Sequence, residues 1–345
     1  MRIAGIRGWG MYAPQRVVTN AELAQSVDTT DEWITSRTGI RQRRIAAADE
    51  TTSSMGIRAA RDAIRCAELT PGDIDLVIVG TATPDYPFPA TACLIQDALG
   101  IVGGAFDLEA GCTSFMYGLS IASAYVAAGM YSNILVVGSE VLSRILDWKD
   151  RSTCVLFGDG AGAVVVSQDD RAEFQPQYVL GSDGSGAQAL SLPAGGSRMP
   201  AREETVRDGM HFVHMAGPEV FRFATRVVAE STQQVLAKAG LTAADVDLFI
   251  PHQANTRIID YAVHRLEIPD DRVFINIDRY GNTSSASIPL ALCEAHEQGR
   301  LQPNDIVVMV GFGAGLTWAA AALQWTGLPL KKPSAVEKRP AVTVP

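Results

Sequence analysis

Ala105-Phe106-Asp107-Leu108-Glu109-Ala110-Gly111-Cys112, continuing through Thr113-Ser114-Phe115-Met116 into small apolar residues up to Ala128, is the stretch that decides the fold. A short apolar run leads into a tight turn. Beyond it, Phe115, Met116, Leu119, Ile121, Tyr125 and Val126 leave almost no polar face, which predicts a strand, a turn and a buried helix. Gly129 supplies the helix stop. Cys112 then falls in the first turn of a helix, where unpaired N–H groups and the positive end of the dipole stabilise an anion. Such placement lowers a thiol pKa from about 8.5 into a range of roughly 3.5 to 7.5, giving a nucleophile at neutral pH. A free cysteine is equally a small buried hydrophobe, and only partners elsewhere in the chain separate the two readings.

Outward from that stretch, 345 residues suffice for two domains or one large α/β unit. With 47% hydrophobic and 19% charged residues the composition is globular, and a net charge of −9 argues against nucleic acid as a partner. No apolar run reaches the length of a membrane span and Met1 to Gly10 has no secretory core, so no membrane insertion and a cytoplasmic location are expected. Five scattered cysteines without a Cys-x-x-Cys pair give neither a disulfide framework nor a zinc site.

Arg2 to Trp9 reads as a first strand, Asp28 to Gly39 as a capped short helix, Met55 to Ala67 as a helix and Leu76 to Val79 as a buried strand. Helices and apolar strands alternate to the end, so the class is α/β. The chain also repeats itself. Asp73-Ile74-Asp75-Leu76 recurs as Asp245-Val246-Asp247-Leu248, and Ile134-Leu135-Val136-Val137 as Ile306-Val307-Val308-Met309; both offsets are 172 (245 − 73 and 306 − 134). A constant offset over separate strands implies a duplicated unit. It divides the chain into a first half (residues 1–172), a covering insertion (173–217) without a counterpart at that offset, a second half (218–328) and a mobile tail (329–345). Cys112 maps onto Ser284, so two like turns can face each other across a pseudo-two-fold axis. Gly158, Gly160 and Gly162 lead into Ala163-Val164-Val165-Val166, a strand, so close backbone packing explains them better than a dinucleotide cradle.

His252 follows the apolar run Leu248 to Ile250, the strand end where α/β sheets place ligands, and Asn282 occupies the corresponding turn region of the second half. Each alone is ordinary; a cysteine, a histidine and an asparagine all at strand ends are less so. Gly111-Cys112, Pro251-His252-Gln253-Ala254-Asn255 and Gly281-Asn282-Thr283-Ser284-Ser285-Ala286-Ser287-Ile288-Pro289 resemble the three catalytic signatures of β-ketoacyl-acyl-carrier-protein synthase III. The resemblance runs over nearly all of Arg2 to Thr326, including Asp31-Glu32-Trp33-Ile34, Arg37-Thr38-Gly39-Ile40, Phe157-Gly158-Asp159-Gly160-Ala161-Gly162 and Phe312-Gly313-Ala314-Gly315-Leu316-Thr317-Trp318.

That resemblance implies an α/β thiolase-like fold, a duplicated five-layer αβαβα sandwich, assembled as a homodimer. It implies an acyltransferase that starts fatty-acid synthesis by joining a short acyl-CoA primer to malonyl-acyl-carrier-protein with loss of carbon dioxide. Cys112 would take the acyl group, His252 and Asn282 would hold the enolate oxygen, and the backbone N–H groups of Cys112 and Ala314 would hold the acyl carbonyl. By the same transfer, Trp33 and Arg151 clamp the adenine of coenzyme A, Arg37 and Thr29 contact its phosphates and adenine edge, and Asn255 lines the pantetheine channel. Arg222, Arg257 and Arg265 form a basic patch for the acidic carrier protein, a patch that without the family reads as a solvated helix face. Phe88, crossing from the second subunit, together with Leu142 and Phe157 bounds the primer pocket. Coenzyme A thioester is substrate here, and no cofactor or metal is implied. Glu109 replaces a smaller apolar neighbour found in many relatives and raises the cysteine pKa if it points inward. A starter enzyme or acyltransferase of a secondary-metabolite pathway is the alternative enzyme reading. Retention of both His252 and Asn282 favours condensation over plain transfer, and the intact set disfavours a catalytically silent carrier-protein-binding module.

Overall fold

The computed structural model describes residues 2–327, so the expected tail at 329–345 lies outside the described residues. Nine strands build its two main sheets: β1 (Ala4–Tyr12), β2 (Leu76–Gly80), β3 (Gly104–Leu108), β4 (Asn133–Glu140), β5 (Gly160–Gln168), β6 (Gln177–Ser182), β7 (Leu248–Pro251), β8 (Ile306–Gly313) and β9 (Thr317–Gln324). The first sheet runs β1-β5-β4-β2-β3, with β2 parallel to β3 and β4, and β5 antiparallel to β1 and β4. The second runs β6-β9-β8-β7, with β7 parallel to β8 and β9 antiparallel to its neighbours. A parallel bridge from Phe249 to Val273 adds a fifth position beyond β7. Strand for strand, the two sheets have one topology, and β2 with β7 and β4 with β8 are the pairs that the 172-residue offset relates.

The main helices are α1 (Asp31–Thr38), α2 (Thr52–Cys66), α3 (Thr91–Leu99), α4 (Ser114–Ala128), α5 (Gly217–Ala239), α6 (Thr256–Leu266) and α7 (Ser287–Glu297). Both faces of each sheet are apolar, so each needs helices on both sides. Between the sheets, α4 (Phe115, Met116, Leu119) and α7 (Ile288, Ala291, Leu292) pack with Ile78 and Val136 on one side and Met309 and Ala321 on the other. The alternate residues Val77 and Val137 face outward onto Met55, Ala59 and Ala63 of α2 and Ile95 of α3. On the opposite outer face, Phe249 and Val308 meet Phe223 and Val228 of α5 and Ile258 and Ala262 of α6. The result is five layers: helices, sheet, helices, sheet, helices.

Two expectations need correction. Residues 173–217 are not only a cover, because Gln177–Ser182 is the edge strand β6 of the second sheet and stands 172 residues after Gly5–Gly10 of β1. Its half-exposed sequence, interrupted by Gly181, carries too weak an alternation to announce a strand. The helix expected from Asp28 begins at Asp31, capped by the Thr30 hydroxyl, which accepts the Trp33 N–H at 3.0 Å. The glycine-rich stretch behaves as read: Gly160 and Gly162 lie within β5, and no helix follows them.

Candidate active site

Cys112 sits in the one-turn 3-10 segment Gly111–Thr113 that joins the end of β3 to α4. Gly111 takes a positive φ of 57°, which a side chain resists. A Cβ on Gly313, in the last residue of β8, would lie 2.5 Å from the Cys112 nitrogen, and one on Gly111 would lie 2.7 Å from the Ala314 nitrogen. Only glycines let the two backbones meet this closely. The N–H-bearing segments of Cys112 and Ala314 are thereby held side by side, although it is Gly313 that lines the cleft.

The expectation of a depressed thiol pKa is overturned. Cys112 is 8% exposed, and burial pushes its pKa up to about 12, with the carboxylates of Glu140 and Glu109 adding in the same direction. A hydrogen bond with the Ser284 side chain and one from backbone oppose this without reversing it. The physical reason is that a single 3-10 turn supplies few N–H groups, and Cys112, though it lines the cleft, is almost wholly withdrawn from water. Glu109 is exposed and accepts the Gly111 N–H at 2.9 Å, so it braces the turn while its charge still reaches the sulfur.

His252 leaves β7 with its N–H donated to the Val310 carbonyl at 2.7 Å. Its ring is 2% exposed and stands edge-on to Phe312, 5.3 Å between centroids. Nδ1 lies 2.5 Å from the Ser287 hydroxyl, while Nε2 is buried without a protein partner. Burial lowers the pKa to about 3, so the imidazole is neutral. Asn282 is fixed by its backbone, its N–H donating to Leu156 and its carbonyl accepting from Gly158, at 2.8 and 2.9 Å. Its Oδ1 accepts the Ser284 N–H at 2.8 Å, which leaves the NH2 end of the amide for the cleft.

Two residues to which the sequence assigned no role in the chemistry tie the site together. Glu140, fully buried at the end of β4, accepts from the hydroxyls of Thr81 (3.2 Å), Thr83 (2.5 Å), Ser284 (3.1 Å) and Ser285 (2.8 Å), and from the Ala82 N–H (3.1 Å). Burial raises its pKa against the pull of these bonds. Ser284 thus joins Glu140, the Cys112 sulfur and Asn282. The 172-residue equivalence of Ser284 to Cys112 was the available signal for Ser284; nothing marked Glu140, an ordinary acidic residue after an apolar strand.

Cys112, His252 and Asn282 line a single cleft of about 760 Å³, together with Trp33, Arg37, Phe157, Asn255, Arg222 and Arg257. Leu190 and Met215 from residues 173–217 complete its wall, so that segment does cover the site in part. Asn255 caps α6, accepting the Arg257 N–H and donating to the Arg37 carbonyl, and so links α1 to α6 at the mouth. Arg151 lies directly over the Trp33 ring, 5.2 Å from its centroid, and donates to the Asp28 carbonyl. Cation–π attraction holds together the two residues expected as a clamp. Thr29 does not line the cleft; its hydroxyl oxygen is buried without a partner. Arg257 stacks on Phe221 beside Arg222, whereas Arg265, eight residues along α6, sits about 12 Å farther down the helix and outside the cleft. Of the expected primer-pocket residues only Phe157 lines the cleft: Leu142 packs behind it, and Phe88 is 85% exposed on the proline-bearing loop.

A doubled sandwich that gathers a thiol, a neutral imidazole and a carboxamide at one cleft defines a thiolase-fold condensing enzyme of the acyltransferase class. Two family models match, 3-oxoacyl-[acyl-carrier-protein] synthase III over residues 106–184 and its C-terminal part over 236–325. The β-ketoacyl-[acyl-carrier-protein] synthase III of Symbiobacterium thermophilum is 55% identical over 94% of this chain and 99% of its own. The chain belongs to the β-ketoacyl-[acyl-carrier-protein] synthase III family. Among solved structures it resembles the Thermus thermophilus synthase III (48% identity, TM-score 0.87, 94% of this chain and 100% of that one). It also resembles the priming β-ketosynthase of the R1128 polyketide pathway (39%, TM-score 0.87, 95% and 98%).

Proposed function

We propose that the protein catalyses the decarboxylative condensation of a short acyl-CoA with malonyl-acyl-carrier-protein, giving 3-oxoacyl-acyl-carrier-protein, carbon dioxide and coenzyme A, and so starts fatty-acid synthesis. The observation that carries this reading is the convergence of Cys112, His252 and Asn282 on one cleft, with His252 Nε2 buried and unpaired by protein.

In the first step the Cys112 sulfur attacks the thioester carbonyl, the S–C bond to coenzyme A breaks, and the thiol proton ends on the departing coenzyme A sulfur. The sulfur attacks as its thiolate, a small fraction at neutral pH because burial raises the pKa to about 12, and the coenzyme A thiolate takes up the proton. Backbone N–H groups of Cys112 and Ala314 stabilise the oxyanion formed on the acyl carbonyl. In the second step the malonyl carboxylate leaves as carbon dioxide, and its electron pair moves into an enolate whose oxygen is held by His252 Nε2–H and the Asn282 NH2. The enolate carbon attacks the acyl-cysteine, the carbon–sulfur bond breaks, and the departing thiolate takes a proton from solvent. A neutral imidazole is the right donor here, because an imidazolium would give up its proton to the enolate.

The same reading gives Trp33, Arg151, Thr29, Arg37 and Asn255 to coenzyme A, the base parting Trp33 from Arg151 as it enters. Arg222 and Arg257 at the mouth, with Arg265 beyond, face the acidic carrier protein. Exposed Phe88 and Tyr86 suit a subunit contact, and a homodimer would bring Phe88 to its partner's primer pocket with Leu142 and Phe157 behind. No separate cofactor or metal enters the scheme, and the enzyme works in the cytoplasm. Among the described residues no helix is long and apolar enough to cross a membrane. The polyketide priming enzyme shares this scaffold at the same TM-score as the Thermus synthase, so the backbone alone does not select the pathway; the higher identity to the Symbiobacterium and Thermus synthases, 55% and 48% against 39%, supports fatty-acid synthesis. Incubation of a panel of acyl-CoA primers with malonyl-acyl-carrier-protein tests this, mass spectrometry being expected to find the 3-oxoacyl product and free coenzyme A in equal amounts. Release of coenzyme A without a carbon–carbon product would reject condensation.

A further inference from the structure

We propose that Ser287 is a positioning residue that fixes which nitrogen of His252 carries the proton, by donating its hydroxyl to Nδ1 and so presenting Nε2–H to the cleft. The inference rests on the reading of His252 as a hydrogen-bond donor and names what makes it one. Both side chains are buried, each 2% exposed, and Oγ stands 2.5 Å from Nδ1. Distance alone does not say which partner donates, since a hydroxyl does either. Three surroundings decide it.

Ser287 is the first residue of α7, an 11-residue helix. The positive end of that helix lies at the residue whose hydroxyl meets Nδ1, which favours a lone pair there over an N–H. The same field disfavours the imidazolium, in line with a neutral ring. Secondly, a serine in a helix commonly turns its hydroxyl back to the carbonyl four residues earlier. Here that carbonyl, of Thr283, already accepts the Ala286 N–H at 3.0 Å, and the hydroxyl lies against Nδ1 instead. Thirdly, the ring is enclosed: it is 2% exposed, and Phe312 stands edge-on to it, 5.3 Å between centroids. A neutral imidazole carries one proton; with Nδ1 accepting, that proton resides on Nε2.

Ser287→Ala and Ser287→Thr in the full chain test this. Acyl-enzyme formation from acetyl-CoA, read by intact mass, is expected to stay within threefold of wild type in both. Condensation with malonyl-acyl-carrier-protein is expected to fall about 30-fold in the alanine variant and to recover to within threefold in the threonine variant, which keeps the hydroxyl. Nitrogen-15 NMR of histidine-labelled protein, with the His252 signals identified by a His252→Gln variant, reads the tautomer directly. Wild type is expected to show protonated Nε2, and Ser287→Ala a mixture. An alanine variant with wild-type condensation, or with an unchanged tautomer, would overturn the role of Ser287 alone. A wild-type spectrum with the proton on Nδ1 would instead remove His252 as the enolate donor and so reject the reading beneath it. If Ser287→Ala fails to fold, the comparison passes to Ser287→Cys, whose weak donor is expected to give an intermediate rate; a wild-type rate there would count against the proposal.

Discussion

The turns before α4 and α7 are one piece of backbone used twice. Gly111–Thr113 leads into the first helix and Ser284–Ala286 into the second, both as single 3-10 turns that open on a positive φ, 57° at Gly111 and 50° at Ser284, so in the structure Gly111 matches Ser284, one residue off the 172 offset of the strands. What stands on them differs entirely. The first carries a thiol at its second position, while the second carries at its first position a hydroxyl that joins Glu140 to the sulfur, with Asn282 two residues before it. One turn has become the nucleophile's seat and its twin the donor and scaffold. Duplication supplied the geometry, and a few side-chain changes divided the labour.

The division is most exposed to attack at the first turn. Cys112→Ser is expected to lower overall turnover on the order of 10⁴-fold or more and to leave no stable acyl adduct by intact mass after incubation with acetyl-CoA. An adduct matching wild type would mean that the two turns are not divided as described. At the second turn, Asn282→Ala is expected to accept the acyl group normally yet slow condensation about 10²- to 10³-fold, the loss typical of one oxyanion donor; equal slowing of both half-reactions would erase the distinction. pH sharpens it further. The Cys112 pKa is raised to about 12, so the thiolate fraction climbs throughout the neutral range and single-turnover acylation should rise about tenfold per pH unit from 6 to 8. His252, lowered to about 3, and the Asn282 amide do not titrate there, so decarboxylation of bound malonyl thioester should stay level over the same range. Parallel pH slopes would contradict that. The smallest effect is expected from Ser284→Ala, which removes one hydrogen bond at the sulfur and should slow acylation about fivefold, near 1 kcal/mol.

How legible all this was depended on the kind of signal. Buried strands such as Leu76–Gly80 and the all-apolar α4 were written in hydrophobicity, and the fixed offset revealed the doubling before any coordinates. The edge strand Gln177–Ser182 was not, since a half-exposed strand has no such signature. Cys112, His252 and Asn282 were readable as residue types at strand ends, but their meeting is a property of the packed layers. The thiol's pKa was misjudged because sequence shows a helix start but neither the burial around it nor the Glu140 carboxylate arriving from another strand. Likewise the Trp33–Arg151 stack and the distance of Arg265 from the mouth depend on side-chain placement, which spacing along a helix does not encode.

The shared middle layer has a consequence for synthesis. Phe115, Met116, Leu119 and Val126 of α4 share their core with strands formed only after residue 306, so a ribosome-bound chain that has emerged through β5 presents a greasy helix whose far-side cover has yet to be made. Such a nascent chain calls for chaperone shelter, and a chimaera that exchanges one half between relatives must carry matching partners for that helix or it will not close.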